Sequence, residues 1–284
     1  MTRELTRSME PSVSEIHVEA GKTHKQYLKD LWIYRELFFF LAWRDILVRY
    51  KQTIIGVTWS VVRPLITMIV FTIVFGKLAK MPSDRMPYSV LVFIAMLPWQ
   101  FFSNTFTEGG NSLINNEKLV SKVYFPRIII PTTSMLVSLI DFLISFLLLA
   151  LLMICVGFIP AWTIIFMPIF LLQVIIVSLG LTFLTSAMNA KYRDFRYVLP
   201  FVVQIGLYIS PVGFSSTIIP ENWKILYSIN PLVGVIDGFR WCISGNTAFI
   251  YFPGLMVSLG VTLIIFIVGL QYFRSVERTL ADVI

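Results

Sequence analysis

Six apolar stretches dominate the chain, at about Ile54–Phe75, Tyr88–Phe106, Ile128–Val156, Thr163–Met188, Val198–Phe214 and Pro253–Phe273. Crossing the ~30 Å hydrocarbon core of a bilayer takes about 20 helical residues. The chain has 284 residues, 57% hydrophobic and only 14% charged, against about 25% charged in a soluble domain. Its mean hydropathy is +0.79. One soluble core cannot hide that much apolar surface, so the expected fold is an all-α membrane protein with six transmembrane helices.

The stretches are not uniform. Arg63-Pro64 lies inside the first. A charge at mid-bilayer costs about 2.5–3.5 kcal/mol on insertion scales, so Arg63 is expected to snorkel to the interface, with the core of that span starting near Pro64. Pro98-Trp99 interrupts the second and predicts a bend there. Residues 215–252 are too apolar for an ordinary loop and too broken for a span, with Pro220, Pro231, Gly234, Gly238 and Gly245 among them. Two short helices that dip into the membrane and return fit this region, between the fifth and sixth spans.

Ahead of the spans, Leu31–Lys51 reads as an amphipathic helix. Phe39, Trp43, Ile46 and Tyr50 share a face, and Arg35, Arg44, Arg49 and Lys51 supply charge elsewhere. Aromatics mixed with cations suit a helix in the headgroup region; a soluble core helix is the alternative. Residues 1–30 are polar, lack an apolar h-region and read as a flexible tail rather than a cleavable signal.

Orientation follows from Lys and Arg. With the N-terminus inside, 18 of the 23 basic residues fall on inner segments and 5 on outer ones. This positive-inside bias places both termini and the loops Glu108–Arg127 and Asn189–Tyr197 in the cytoplasm, and residues 215–252 outside. The net charge of +7 sits on membrane-flanking segments, so nucleic acid is not an expected partner.

Catalytic chemistry is hard to find. Gly21-Lys22-Thr23 resembles the end of a phosphate-binding loop, but Ile16 stands where that loop needs its first glycine and no apolar strand precedes it. The chain is therefore not expected to bind ATP. Cys155, Cys242, His17 and His24 have no zinc spacing, and both cysteines read as free small hydrophobes. Asp141 is the acidic residue deep in a span, with three readings: an ion relay, a pore-facing group near the outer half, or a partner to Ser, Thr or Asn on a neighbouring helix. Trp99, Trp162, Trp223 and Trp241 fall near predicted interfaces, where belts explain them; the sharper alternative is a pore lining that stacks on sugar rings.

The two inner loops carry more information. In the first, Asn111 or Ser112 is placed to cap a short helix with Leu119, Val120, Val123 and Tyr124 on one side, ended by Pro126. In the second, Lys191, Arg193, Asp194 and Arg196 alternate with Tyr192, Phe195 and Tyr197. A plain basic membrane-edge loop is the alternative in each case.

Several short motifs occur in a telling order: Gly56-x-x-Trp59 with Pro64 after Tyr50-Lys51, Leu97-Pro98-Trp99-Gln100-Phe101-Phe102, and Asn115–Pro131 around Val123-Tyr124-Phe125-Pro126-Arg127. Then come Tyr192-Arg193-Asp194, Asn230-Pro231 with Phe239-Arg240, and the terminal Glu277 and Ala281-Asp282-Val283-Ile284. Together they resemble the membrane subunit of an ABC-2 type polysaccharide exporter, a family that exports lipid-linked O-antigen, capsule or teichoic acid. The resemblance covers about residues 31–284. It implies a homodimer with the pore at its interface, a lipid-linked polysaccharide substrate in the inner membrane, and two copies of a separate cytoplasmic subunit that binds the ATP and Mg. The expected domains are a tail at 1–30, the interfacial helix at 31–51, a transmembrane domain at 52–273 with an external gate at about 215–252, and a tail at 274–284.

The resemblance also carries residue expectations. Asn115, Glu117, Lys118, Lys122, Arg127, Tyr192, Arg193 and Asp194 would couple to the ATPase. Trp99, Phe102, Asp141, Asn230, Pro231 and Arg240 would line the pore or gate. Two other functions compete. A membrane transferase on a lipid-linked sugar needs a carboxylate or histidine constellation, but Asp84, Glu221 and Asp237 are scattered. An ion-coupled carrier would be expected to have internal repeats or paired intramembrane charges, and the sequence shows neither.

Overall fold

The computed structural model describes residues 24–51, 54–83, 86–192 and 194–277. Among these the elements are helical. They run α1 (His24–Ile33), α2 (Arg35–Lys51), α3 (Ile54–Phe71), α4 (Tyr88–Asn115), α5 (Glu117–Lys122), α6 (Ile129–Val156), α7 (Met167–Lys191), α8 (Phe195–Ile209), α9 (Glu221–Tyr227), α10 (Pro231–Ser244) and α11 (Phe252–Glu277). A π-helical segment, Thr72–Leu78, extends α3, and a 3₁₀ turn, Trp162–Phe166, leads into α7. Five helical stretches are long and apolar enough to cross a bilayer: Val61–Leu78, Tyr88–Asn115, Ile129–Val156, Trp162–Lys191 and Phe252–Glu277.

The expected fifth span, Val198–Phe214, is shorter than the sequence predicts. α8 starts at Phe195 and stops at Ile209, 15 residues, or about 22 Å at 1.5 Å per residue. The stop has a local cause. Pro211 disfavours the helical region for the residue before it, and Ser210 is extended, with ψ 149°. α9 and α10 occupy the place where two short helices were expected, with 7 and 14 residues.

α4 is the axis of the bundle. It packs against α3, α6, α7, α8 and α10. Its stretch Val90–Trp99 has no polar side chain and is buried throughout, as a helical stretch that is apolar all round must be. From Gln100 onward one side turns polar, with Ser103, Asn104, Glu108 and Asn115 left out of the core. The helix runs unbroken through Pro98 to Asn115, so the expected interruption at Pro98-Trp99 does not divide it. The same continuity overturns the expected cap. Asn111 and Ser112 lie inside α4, and the break to α5 comes at Asn116.

Small residues let the other long helices close up. α7 and α11 are in extensive contact. A Cβ on Gly269 would sit 2.0 Å from the carbonyl oxygen of Gly180, so the two backbones touch where both residues lack side chains.

Two apolar cores result. The larger joins α4, α6, α7 and α10 with residues such as Phe93, Phe101, Phe142, Phe170, Val174 and Phe239. The smaller gathers Leu41 of α2, Leu113 of α4, Val120 of α5, Ile129 of α6, Phe183 and Ala187 of α7, and Phe273 of α11. It lies at the end of the bundle carrying Lys118, Lys122, Arg127 and Lys191, here called the basic end. α3 and α8 stay peripheral and expose one apolar side each, including Ile66, Ile69, Val70, Ile73, Phe201, Ile205 and Tyr208.

Candidate functional site

The basic end is built on two hydrogen-bonded helix termini. Asn189, fully buried near the end of α7, donates through Nδ2 to the carbonyl of Gly110 and to Asn111 Oδ1, both at 3.0 Å. The loop after α4 and the loop after α7 thus leave the bundle from linked points. Beyond them Asn115, Glu117, Lys118 and Lys122 are exposed, as are Tyr192 and Asp194. Lys118 and Lys122 stand one turn apart on α5, and neither has an ion-pair partner among the described residues. Tyr192 lies against the ammonium of Lys191, at 5.1 Å from the ring centroid. Arg193 lies outside the described residues, as do 1–23 and 278–284 of the two tails and Asp84 of the transferase reading.

Of the expected apolar side of the loop helix, Val120 is buried, but Val123 and Tyr124 are about half exposed, at 49% and 52%. Pro126 follows the helix as expected. α5 therefore plants Val120 in the smaller core, packs Leu119 partly against it and presents Glu117, Lys118, Ser121 and Lys122 outward. Arg127 differs from its neighbours. Its backbone N–H donates to Glu277 Oε1 at 2.7 Å, and its guanidinium Nη1 donates to the Glu277 carbonyl at 3.0 Å. That cation closes the C-terminus of α11, where its charge also suits the helix dipole. The sequence pairs neither residue with the other, because they lie 150 positions apart.

α2 is wired into this end. Arg44 bonds Asp45 and reaches Asn116 Oδ1 at 3.0 Å, and Thr133 donates to Asp45 at 3.4 Å. Further along, Arg49 Nη2 lies 2.8 Å from Asp141 Oδ2, and Tyr50 donates its hydroxyl to Asp141 Oδ1. Asp141 is therefore partnered by the cation and phenol of α2. These contacts also correct the single-faced reading of α2. Leu41 and Ala42 are buried against the bundle, Phe39, Phe40 and Trp43 are exposed, and Tyr50 turns inward. The aromatic side left uncovered suits lipid headgroups, and the C-terminal turn climbs along α6 to its midpoint.

Two polar cavities flank that contact. A lower one of about 520 Å³ lies between α2, α4 and α6, bordered by Arg44, Asp45, Glu108, Asn115, Asn116 and Thr133. An upper one of about 350 Å³ lies between α3, α4, α6 and α8, bordered by Arg63, Trp99, Gln100, Ser103, Asn104, Asp141, Ser145 and Gln204. Trp99 is 5% exposed and backs onto Gly206 of α8. Phe102 does not reach this cavity. It is 4% exposed and stacked on Phe106 with ring centroids 5.6 Å apart.

At the opposite end, the expected gate residues hold local structure. Asn230 caps α10 by accepting from the Leu232 N–H at 3.1 Å, and it donates to Ser210 Oγ at 3.0 Å. Pro231 occupies the first helical turn, where a missing N–H costs nothing. Arg240 is fully buried, 3.8 Å from Asp237 and over the ring of Phe249 at 6.0 Å. Glu221 is exposed and 4.0 Å from Lys224, so this carboxylate is engaged separately from Asp237. Trp162 and Trp223 are exposed at this end, where a belt would lie, while Trp241 stacks on Phe166.

Sequence reasoning passed over Asn116, Asn189, Asp45 and the Arg49–Asp141 pairing. A lone acid in an apolar span does call for a cation, but α2 was not read as reaching that depth.

An O-antigen export system permease protein RfbA from Myxococcus xanthus is 26% identical over 215 residues, covering 75% of this chain and 82% of its own length. One of the same name from Klebsiella pneumoniae is 24% identical over 248 residues, covering 85% of this chain and 92% of its own. The profile of the ABC-2 type transporter family spans residues 36–244, from the start of α2 to the end of α10. A multi-pass α-helical membrane protein matched over that range is a transport subunit, and the chain belongs to the ABC-2 type transporter family.

Proposed function

We propose that this chain is the membrane-spanning permease subunit of an ATP-driven exporter that moves lipid-linked O-antigen out of the cytoplasm across the inner membrane. The observation that carries the reading is the near-full-length similarity to O-antigen export permeases, which spans 85% of this chain and 92% of one such relative. The basic end faces the cytoplasm with both termini, as the asymmetry of Lys and Arg supports. Energy comes from two copies of a separate subunit that binds ATP and Mg. Two copies of the present chain form the pore, and the apolar sides of α3 and α8, left uncovered in one copy, suit that pairing.

The exposed Asn115, Glu117, Lys118, Lys122, Tyr192 and Asp194, with Arg193, form the docking face for the ATPase. α5 is anchored by Val120 in the smaller core, so a push on it reaches α2, α6, α7 and α11 together. Closure of the ATPase dimer moves these helices as rigid bodies and opens the pore. Arg127 is a brace for α11 within that core rather than a contact with the partner. Trp99 of the upper cavity, together with the far-end helices α9 and α10 around Asn230, Pro231 and Arg240, forms the route and its external gate.

The test is copurification of the untagged ATPase subunit with the tagged chain, followed by Lys118→Glu with Lys122→Glu. The double reversal is expected to abolish copurification and export while leaving insertion and the fold intact. Normal export from that variant refutes the docking face.

A further inference from the structure

Arg49 borders both cavities. Its guanidinium lies 2.8 Å from Asp141, and the adjacent Tyr50 donates to the other carboxylate oxygen. The Arg49 side chain is 33% exposed and that of Asp141 only 12%. Below this contact stand Glu108, Asn115 and Thr133; above it stand Arg63, Ser103, Asn104 and Ser145. Both spaces are polar, and the contact between them joins two different helices, α2 and α6.

The three side chains are placed to break together. Arg49 and Tyr50 are consecutive on α2, so one displacement of that helix removes these two contacts from Asp141 at once. The same helix is held to the basic end by Arg44 on Asn116, the residue that separates α4 from the exposed α5. Arg44 and Arg49 are five positions apart, about 7 Å along a helix. A movement of the loop therefore reaches Asp141 through little more than one rigid turn. Loss of these two contacts loosens the Asp141 carboxylate at the border of the upper cavity, where a buried charge that loses its cation draws in water.

We propose that Arg49, Tyr50 and Asp141 form a gate inside each single subunit. Closed, as here, it separates the two polar cavities. When α2 moves with the loop, the carboxylate is released, water enters, and the cavities join into one hydrated path from the basic end to mid-bundle. The gate controls access of hydrophilic molecules whatever the cargo is, so it stands apart from the assignment of O-antigen.

The experiment is cysteine labelling with a membrane-impermeant maleimide on the full chain in native membrane vesicles, with Cys155→Ser and Cys242→Ala as background. Vesicles of the orientation that labels Asn115→Cys rapidly are used. In them Ser103→Cys, at the upper cavity, is expected to label slowly. Adding Asp141→Asn raises that rate by about tenfold, the factor equivalent to about 1.4 kcal/mol. Adding instead the exchange of Arg49→Asp with Asp141→Arg returns it toward the slow value, which shows that the pairing of the two charges, and not either side chain alone, closes the passage. Tyr50→Phe keeps the ion pair and gives a smaller rise in the same direction, which covers the case in which Asp141→Asn fails to insert. An unchanged Ser103→Cys rate in Asp141→Asn, or in Tyr50→Phe where Asp141→Asn does not insert, overturns the proposal. So does a charge exchange that labels as fast as Asp141→Asn. Labelling is read without transport or the ATPase, so this result and that of the copurification test fail independently.

Discussion

Adding one methyl group at Gly269 tests the packing that holds the basic end together. A Cβ at Gly269 would lie 2.0 Å from the carbonyl oxygen of Gly180 and 2.8 Å from its carbonyl carbon, whereas real Cβ contacts under 3.0 Å essentially never occur. The obstacle is backbone, which cannot rotate aside, so α7 and α11 must separate by about 1 Å at that level. Overpacking of this kind costs about 1–3 kcal/mol. For a chain of this size each kcal/mol is worth about 2–4 °C in Tm, so Gly269→Ala is expected to melt about 2–12 °C below the parent. Gly260 supplies the control. It lies on the same helix, and a Cβ there meets nothing within 4 Å. Gly260→Ala should be neutral or slightly stabilising, since alanine is the better helix former by up to ~1 kcal/mol. The assay is thermal unfolding of both purified variants in one detergent, followed by tryptophan fluorescence. If Gly269→Ala melts with Gly260→Ala, the close approach of α7 and α11 does not limit stability and the reasoning fails.

Two further outcomes follow from buried polar contacts. Asn189→Ala removes two 3.0 Å hydrogen bonds between the bases of the two loops, a loss of about 1–3 kcal/mol; the chain should still insert and bind the ATPase, but export per ATP hydrolysed should fall, and unchanged export would count against mechanical linkage of the loops. Arg240→Met leaves the Asp237 side chain, 13% exposed, without its nearby cation and should cost about 3–5 kcal/mol; adding Asp237→Asn should restore much of the Tm in the same melt, and failure to do so would show that Arg240 acts through its other neighbours.

How far the sequence could be read varied with the kind of interaction. Asp141 illustrates the boundary. Its burial in an apolar stretch signals that it needs a partner, and simple solvation physics says so. Which partner it takes depends on how far α2 climbs along α6, and no local pattern in α2 records that. Arg127 is similar. It stands in a basic loop and looks like its neighbours Lys118 and Lys122, yet only those two remain exposed, because the end of α11 arrives beside Arg127. The extent of α4 was misjudged for the opposite reason. Asn111 and Ser112 read locally as caps, and burial of Gly109, Gly110, Ser112 and Leu113 at the far end of α4 carries the helix past them.

Sequence alone determined the all-α membrane class, the approximate positions of the long helices, the basic asymmetry of the loops and the resemblance to polysaccharide exporters. These rest on the solvation of whole segments and on short motifs, and both are written along the chain. The tertiary structure alone decided that α4 is the buried axis and α3 and α8 the uncovered flanks. It also decided that the loops share a base at Asn189 and that α2 closes on Asp141. Those facts depend on which helices approach one another and at what height, and residues 78 to 150 positions apart meet only once the bundle has closed.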